Sequence, residues 1–252
     1  MSTTAIILAA GKGTRMKSDL PKVMHEILGR PMLAYVMDAC RQAGCDRLIV
    51  VIGHQAEVVR RAFATDCRDV AWVEQTEQLG TGHAVMVCRD ELARLSGPVL
   101  VVAGDGPLLR GKTLRTLLET HRAQRASCTL ATCILPEPGS YGRILRDESG
   151  ELTGIVEAID ATKAQRDIRE VNVSVYCYEA ADLREALTRI DNRNAKGEYY
   201  LTDTLAVLRK QGRKLAAVPA VPADEVLSIN TVEELQEVSR ILSKRQTAGE
   251  QA

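Results

Sequence analysis

The chain reads as an α/β protein with a mainly parallel central sheet, and three observations lead there. Short apolar segments of strand length alternate with amphipathic helical segments through the first half, which is the pattern of βαβ units. Ala5 to Ala10 and Val99 to Ala103 are continuous apolar runs, as strands buried on both faces require. The first run is followed at once by Gly11 and Gly13, which place a tight turn at the carboxyl end of a strand.

The elements follow in order. Pro31 opens a helical pattern in which Leu33, Val36, Met37 and Cys40 share a face, ending near Gly44. Leu48 to Ile52 and Val70 to Val73 are short strands around a helix from Ala56 to Phe63. A polar loop precedes a helix expected from about His83 to Leu95. After Val99 to Ala103 come a helix, Leu114 to Gln124, and a strand, Cys128 to Leu135. The rhythm then changes. Tyr141 to Leu145 and Leu152 to Glu157 flank the turn signal Asp-Glu-Ser-Gly, a hairpin-like pair. Asn172 to Glu179 is a strand, Ala180 to Ile190 and Leu201 to Gln211 are helices, and Leu215 to Val221 is a late strand. Thr231-Val-Glu-Glu234 is a capping box opening a last helix to about Lys244, and the final residues read as a frayed tail.

With 252 residues and neither an internal repeat nor a low-complexity linker, the simplest organisation is one domain over residues 1–252. It divides into a nucleotide-type half to about residue 135, a substrate-type half over about 136–230 and a C-terminal helix over about 231–245. Lys plus Arg equals Asp plus Glu at 33 each, so no global field draws nucleic acid or an anionic membrane. No stretch approaches the ~20 apolar residues of a membrane span. The N-terminus lacks the charged region of a signal peptide and passes directly into a strand. Seven cysteines form no C-x-x-C pair, and most lie in apolar segments, as reduced core thiols of a cytoplasmic protein do. His25, His54, His83 and His121 have no helical metal spacing and read as non-catalytic.

Against that neutral background the cations Lys12, Arg15, Lys17 and Lys22 stand out, packed around the two glycines. Backbone N–H groups freed by glycine and clustered cations suit a polyphosphate. The loop is neither a P-loop, since no Gly-Lys-Ser/Thr follows, nor a dinucleotide fingerprint, since Met16 stands where a small residue is needed. Ligands of open α/β sheets sit at the carboxyl ends of the parallel strands. Two other loops leave strands at that edge. One carries Gln75, Gln78 and Gly80-Thr81-Gly82, amides to read a base edge beside residues small enough to admit its ring; the other carries Asp105 between Gly104 and Gly106. A lone Asp before Pro107 is by composition a turn residue, yet one carboxylate beside a polyphosphate is what Mg²⁺ requires. Asn230 reads as an ordinary residue before a helix start or as a second oxygen ligand. In the second half Glu157, Asn172 and the stretch Tyr141-Gly142-Arg143 suit the recognition of hydroxyls, and Gly197 to Asp203 is a pocket wall or a helix start.

Leu8 to Met16 (LAAGKGTRM) with Ser18 to Lys22 (SDLPK) resembles the signature of sugar-1-phosphate nucleotidyltransferases. Glu77 to Ala84 (EQLGTGHA), Gly104 to Leu108 (GDGPL), Tyr141 to Ile144 (YGRI), Gly154 to Glu157 (GIVE) and Gly197 to Asp203 (GEYYLTD) narrow the match. Together they resemble the uridyltransferase half of bacterial bifunctional N-acetylglucosamine-1-phosphate uridyltransferase/glucosamine-1-phosphate acetyltransferases, over residues 5 to about 244. The resemblance implies a Rossmann-like, glycosyltransferase-A-like nucleotidyltransferase fold with helices on both faces of a mixed, mainly parallel sheet. It implies that Leu8, Ala9, Ala10 and Gly11 contact the uridine nucleotide and that Lys22 binds its phosphate. Gln75, Gly80 and Thr81 would hold the uracil, with Gln78 a further nucleotide-binding candidate of the same loop, and Ala103, Gly104 and Asp105 would lie at the ribose and metal. Asp105 and Asn230 would hold Mg²⁺, Gly142, Glu157, Asn172 and Asn230 would line the sugar side, and Arg15 would neutralise the triphosphate, with Arg15, Lys22 and Asp105 as the catalytic groups.

Three departures accompany the match. Ala158-Ile159 stand before Asp160 where the family commonly has a lysine, and Asn172-Val173-Ser174 replaces Asn-Thr-Gly. Both bear on the sugar. No hexapeptide repeat is present, so no acetyltransferase activity is expected of this chain and the sequence leaves its oligomeric state open. The expected reaction is UTP plus N-acetylglucosamine 1-phosphate to UDP-N-acetylglucosamine, a peptidoglycan precursor, and pyrophosphate. The alternatives are the same chemistry on another hexose or N-acylhexosamine 1-phosphate, and a non-catalytic binder of nucleotide sugars.

Overall fold

Reversal of strand order about the first strand creates the crevice on which this molecule is built. The structure, a computed structural model, describes residues 2–16, 18–65 and 67–248; Lys17 of the glycine loop and the last four residues of the tail lie outside the described residues. In chain order the first elements are β1 (Thr4–Ala9), a small hairpin β2 (Glu26–Ile27) and β3 (Arg30–Pro31), and α1 (Met32–Gln42). Then come β4 (Arg47–Ile52), α2 (Ala56–Ala62), β5 (Val70–Glu74), α3 (Thr81–Met86), α4 (Arg89–Leu92) and β6 (Pro98–Ala103). They are followed by α5 (Gly111–Gln124), β7 (Cys128–Ile134), β8 (Arg143–Arg146), β9 (Leu152–Val156) and α6 (Lys163–Arg166). The chain ends with β10 (Glu170–Glu179), α7 (Ala180–Leu187), α8 (Asp203–Lys210), β11 (Leu215–Val218) and α9 (Val232–Thr247).

The main sheet has the order β11-β7-β10-β6-β1-β4-β5, with β8 and β9 attached through β10. β1 pairs in parallel with β4 and β6, as does β4 with β5 and β11 with β7. β10 runs antiparallel to both β6 and β7, so one strand of this path opposes the rest. The chain moves from β1 outward through β4 and β5, then returns to the other side of β1 as β6. That reversal is a topological switch point, which opens a crevice at the carboxyl ends of β1 and β6.

Side chains alternating along β1 serve two cores. Ala5, Ile7 and Ala9 pack with Leu33, Val36 and Cys40 of α1 and Leu114 and Leu117 of α5. Ile6, on the opposite face, packs with Val85 of α3, Leu183 of α7 and Leu205 of α8. Burial on both sides is why the run carries no polar alternation. A third cluster docks α9, through Val238 and Leu242, on Met16, Ile27, Met32 and Leu108.

Several expectations are met closely and a few are corrected. The face read for α1 is the buried one, and Gly44 ends that helix at φ +93°. The capping box of α9 is formed, with Thr231 and Glu234 each accepting a hydrogen bond from the other's backbone N–H, and the helix runs on to Thr247. The single helix expected over 83–95 is two short ones. Val87 N still donates to His83 O, but Cys88 N donates to Val85 O, so the ladder tightens by one residue and breaks there. The glycine loop is not irregular throughout, for Thr14–Met16 and Lys22–Met24 are single 3₁₀ turns. The helix α6, with its capping box Thr162…Gln165, and the hairpin β2–β3 are additional elements that the sequence reading did not anticipate. They are too short for periodicity to report.

Candidate active site

A cleft of about 720 Å³ opens at the switch point, between the glycine loop on one side and β9, β10 and the 196–202 segment on the other. Its wall includes Leu8, Ala9, Gly11, Arg15, Lys22, Gln75, Gln78, Gly80, Thr81, Ala103, Asp105, Gly142, Glu157, Asn172 and Asn230. Of the residues to which the resemblance gave a role, Ala10 and Gly104 stand behind that wall, and Lys12 of the glycine loop is not part of it either. Ala10 O accepts from Gln78 Nε2 at 2.6 Å, and Gly104 N donates to Leu8 O at 2.9 Å. Gly104 has to be small because a Cβ there would meet Leu8 O at 3.0 Å and Ala9 Cβ at 3.2 Å. The strand ends carrying Leu8 and Ala103 are thus locked side by side.

At the centre of the cleft Lys22 Nζ lies 2.5 Å from Asp105 Oδ2 and 2.8 Å from Asn230 Oδ1. Arg15 Nη2 also donates to Asn230 Oδ1, at 2.9 Å. Asn230 comes to Asp105 across about half the chain because Ile229 N donates to Asp105 O at 3.0 Å. Glu234 of the capping box accepts from Asn230 N at 2.6 Å and fixes the backbone on the other side. The 3₁₀ turn Lys22–Met24, with Val23 and Met24 buried, aims Lys22 inward, and Gly13 gives the room for it. A Cβ on Gly13, at φ +63°, would sit 2.6 Å from Lys22 Cβ.

On the side of the 75–82 loop Gln75 is buried and its Nε2 donates to Gly80 O at 3.2 Å, with His83 Nδ1 3.0 Å away. Gln78 spends one amide proton on Ala10 O, so it braces the loop as well as facing the cleft. Two main-chain bonds tie this loop to the other half: Tyr199 N to Leu79 O (2.8 Å) and Gly82 N to Tyr199 O (2.7 Å). Thr81 Oγ1 accepts from Leu201 N at 3.1 Å.

On the far side Glu157 follows β9 and accepts from Thr202 Oγ1 at 3.4 Å. Burial pushes its carboxyl above the usual glutamate value, against the pull of Thr202 and Lys196. Asn172 lies inside β10 rather than at its start. Its Nδ2 donates to Tyr176 Oη at 2.6 Å and its Oδ1 accepts from Ser174 N at 3.1 Å, across a bulge in the β7 pairing. Ser174, at φ +58°, occupies the left-handed region where the resembled family has glycine. Gly142 O accepts from Asn172 N at 2.8 Å, and Arg143 is buried, donating to the carbonyls of Tyr141, Gly139 and Arg166. Arg143 therefore shapes the 139–142 loop. Tyr200, Thr202, Tyr176, Ser174 and Lys196 also line the cleft. The Gly197–Asp203 stretch proves to be both a pocket wall and the lead-in to α8. Tyr176 and Lys196 carried no local signal, since each reads as an ordinary strand or loop residue. The hydroxyl of Tyr200, a residue of the cleft wall, is buried with no hydrogen-bond partner.

The donor set fits a hard divalent cation. Asp105 and Asn230 aim one oxygen each at the same point, as the shared ammonium shows, and Mg²⁺ takes one or two protein oxygens with phosphates and water completing its shell. No three His, Cys, Asp or Glu side chains converge on a metal position among the described residues. The cysteines are all unpaired and six of the seven are buried, with burial pushing the thiols of Cys45 and Cys88 up to about 12. His121 is held by Thr129 and Glu179 away from the cleft.

Fold and site together define a nucleotide-handling α/β domain, and the chain belongs to the family of MobA-like NTP transferase domains, whose profile matches residues 5–171. Among its relatives it is 48% identical over 241 residues to the bifunctional protein GlmU of Geobacter metallireducens, covering 96% of this chain and 50% of that protein. It is 48% identical over 242 residues to GlmU of Heliobacterium modesticaldum and 44% identical over 245 residues to GlmU of Lactococcus lactis subsp. cremoris. Those matches cover 96% and 97% of this chain and 52% and 53% of the two relatives, so the chain spans about half the length of each. A solved structure of UDP-glucose pyrophosphorylase complexed with UDP-glucose superposes with a TM-score of 0.77 at 19% identity, over 97% of this chain and 100% of that one. The mixed, mainly parallel Rossmann-like sheet is shared with that structure.

Proposed function

We propose that this domain transfers a uridylyl group from UTP to N-acetylglucosamine 1-phosphate, giving UDP-N-acetylglucosamine and pyrophosphate. The observation that carries the reading is the convergence of Arg15, Lys22, Asp105 and Asn230 between a base-sized loop and a hydroxyl-binding wall in one cleft. The 48% identity to GlmU proteins across 96% of the chain supports the choice of sugar and of uracil.

In the reaction a phosphate oxygen of the sugar phosphate attacks the α-phosphorus in line. The new O–P bond forms as the bond from the α-phosphorus to the α–β bridging oxygen breaks, and pyrophosphate leaves with that electron pair. The nucleophile is already an anion, so no general base is required, and the cleft presents neither a histidine nor a thiolate at its centre. Gln75 with Gly80 and Thr81 orients the base; Glu157, Asn172 and Gly142 orient the sugar; Lys22 and Arg15 balance charge on the phosphates. Mg²⁺ held by Asp105 and Asn230 would supply further neutralisation of that charge. Catalysis is then positioning plus electrostatic stabilisation. The reading places the enzyme in the cytoplasm, supplying precursor for cell wall biogenesis, which seven unpaired thiols suit.

The test is a panel of hexose and N-acylhexosamine 1-phosphates with UTP and the other nucleoside triphosphates, scored by pyrophosphate release with Mg²⁺. N-acetylglucosamine 1-phosphate with UTP should lead. A preference for another sugar relocates the specificity, and binding without release with every pair means a silent binder. In the same assay Asp105→Asn should lower turnover by about 10²-fold or more with the fold intact; near-normal turnover would overturn the assignment of Asp105.

A further inference from the structure

We infer that Lys22 is the placeholder for the metal, so that the cation site is closed in the nucleotide-free enzyme and opens only when a triphosphate draws the ammonium away. The inference rests on the uridylyl-transfer reading above, and it goes beyond naming the ligands. Lys22 Nζ touches both of the oxygens that would hold the cation, Asp105 Oδ2 at 2.5 Å and Asn230 Oδ1 at 2.8 Å. A magnesium ion must stand about 2.0–2.1 Å from each ligand oxygen, which places it in the volume the ammonium fills. The two cannot share it.

Charge acts in the same sense. Around this point two cations, Lys22 and Arg15, are engaged with Asp105 or Asn230, while the other nearby carboxylate, Glu234, is turned to the backbone N–H groups of Asn230 and Thr231. The Lys22 and Asp105 side chains are only 12% and 23% exposed, so bulk water screens the pair weakly. A dication approaching the nucleotide-free site finds the Asp105 carboxylate already neutralised by Lys22 and must first break a charge-assisted hydrogen bond. A triphosphate reverses both conditions, since its oxygens offer Lys22 and Arg15 new partners and add ligands for the metal. Metal and nucleotide then bind with positive coupling, and by linkage each strengthens the other equally. Without nucleotide, Lys22 keeps the two oxygens aimed at one point and prevents a metal from binding unproductively. With nucleotide, the same side chain becomes a phosphate ligand.

The experiment is equilibrium dialysis against Mn²⁺, a magnetic and chemical substitute for Mg²⁺, with full-length protein, with and without α,β-methylene UTP, which cannot release pyrophosphate. Wild type should bind Mn²⁺ at least about tenfold more weakly without the analogue than with it. Lys22→Met and Lys22→Ala should each gain nucleotide-free Mn²⁺ affinity by about tenfold or more, the size of one charge-assisted hydrogen bond. Adding Asp105→Asn to either should remove that gain. Equal Mn²⁺ affinity of wild type with and without the analogue overturns the inference and needs no variant to fold. So does a folded Lys22 variant with no gain. Pyrophosphate release by wild type separates the two ideas. Turnover together with either of those results defeats the placeholder alone, whereas a wild type that binds no analogue and turns over nothing defeats the functional reading and this inference with it.

Discussion

Replacing Gly80 by alanine tests whether the two halves of the cleft are held in register by main-chain bonds. Gly80 caps α3 with φ 104° and ψ 178°, a conformation essentially confined to glycine. A Cβ there would lie 2.6 Å from Tyr199 O and 2.9 Å from Glu198 Cβ, and Tyr199 O is the acceptor that receives Gly82 N. Backbone strain of this kind costs roughly 1–3 kcal/mol, and forcing a methyl into filled space a further 1–3 kcal/mol. Lower chain entropy in the unfolded state returns about 0.4–1 kcal/mol. The net is about 3 kcal/mol, which for a domain of this size lowers Tm by roughly 6–12 °C. Gly150→Ala is the control, because Gly150 also has positive φ, +84°, but a Cβ there meets nothing within 4 Å. It should cost about 1–2 kcal/mol from backbone strain alone. Calorimetry on both variants isolates the clash. Because Gly80 O also receives the Gln75 amide, the KM for UTP should rise about tenfold in Gly80→Ala, equivalent to one hydrogen bond of ~1.4 kcal/mol, and stay unchanged in Gly150→Ala. A Gly80→Ala protein melting within about 2 °C of Gly150→Ala would refute the reasoning.

Two further outcomes follow from the wall of the cleft formed by β9 and β10. Ser174→Gly removes a left-handed non-glycine residue at the bulge of β10 and should stabilise by about 1 kcal/mol, read as a Tm rise of roughly 2–4 °C; a lower Tm would show that the Ser174 side chain contributes more than its backbone costs. Burial raises the Glu157 carboxyl above its ordinary value of 4.5, so the folded state binds that proton more tightly than the unfolded one. Its contribution to stability is then fully present below the unfolded pKa and is lost as pH rises through the folded one. Glu157→Gln should accordingly raise Tm more at pH 7 than at pH 4. The KM for the sugar phosphate should rise in wild type as pH falls toward the raised pKa, and Glu157→Gln should abolish that rise. Equal Tm changes at the two pH values, or a KM profile that survives the substitution, would remove Glu157 from this role.

The sequence by itself determined the sheet strands, the buried face of α1, the capping box of α9 and the three loops at one sheet edge. Each of these rests on local physics: apolar runs that have to be buried, a side-chain oxygen that reaches an N–H three residues on, a glycine that permits a turn. The same local reasoning failed where elements were too short to show a period, as with α6 and β2–β3, or where the helical ladder tightened at Cys88. Tertiary structure alone decided the centre of the site. Asn230 has no local reason to be more than a residue before a helix, and the Ile229–Asp105 main-chain bond makes it a partner of Asp105. Asn172, which reads as a strand-opening amide, turns out to serve Tyr176 and Ser174 across a bulge. Resemblance assigned Lys22 to a phosphate. Only the packed chain shows its ammonium lying between the two oxygens expected to hold the metal, because that contact depends on three segments distant in sequence being brought together by the β1–β6 pairing and the docking of α9.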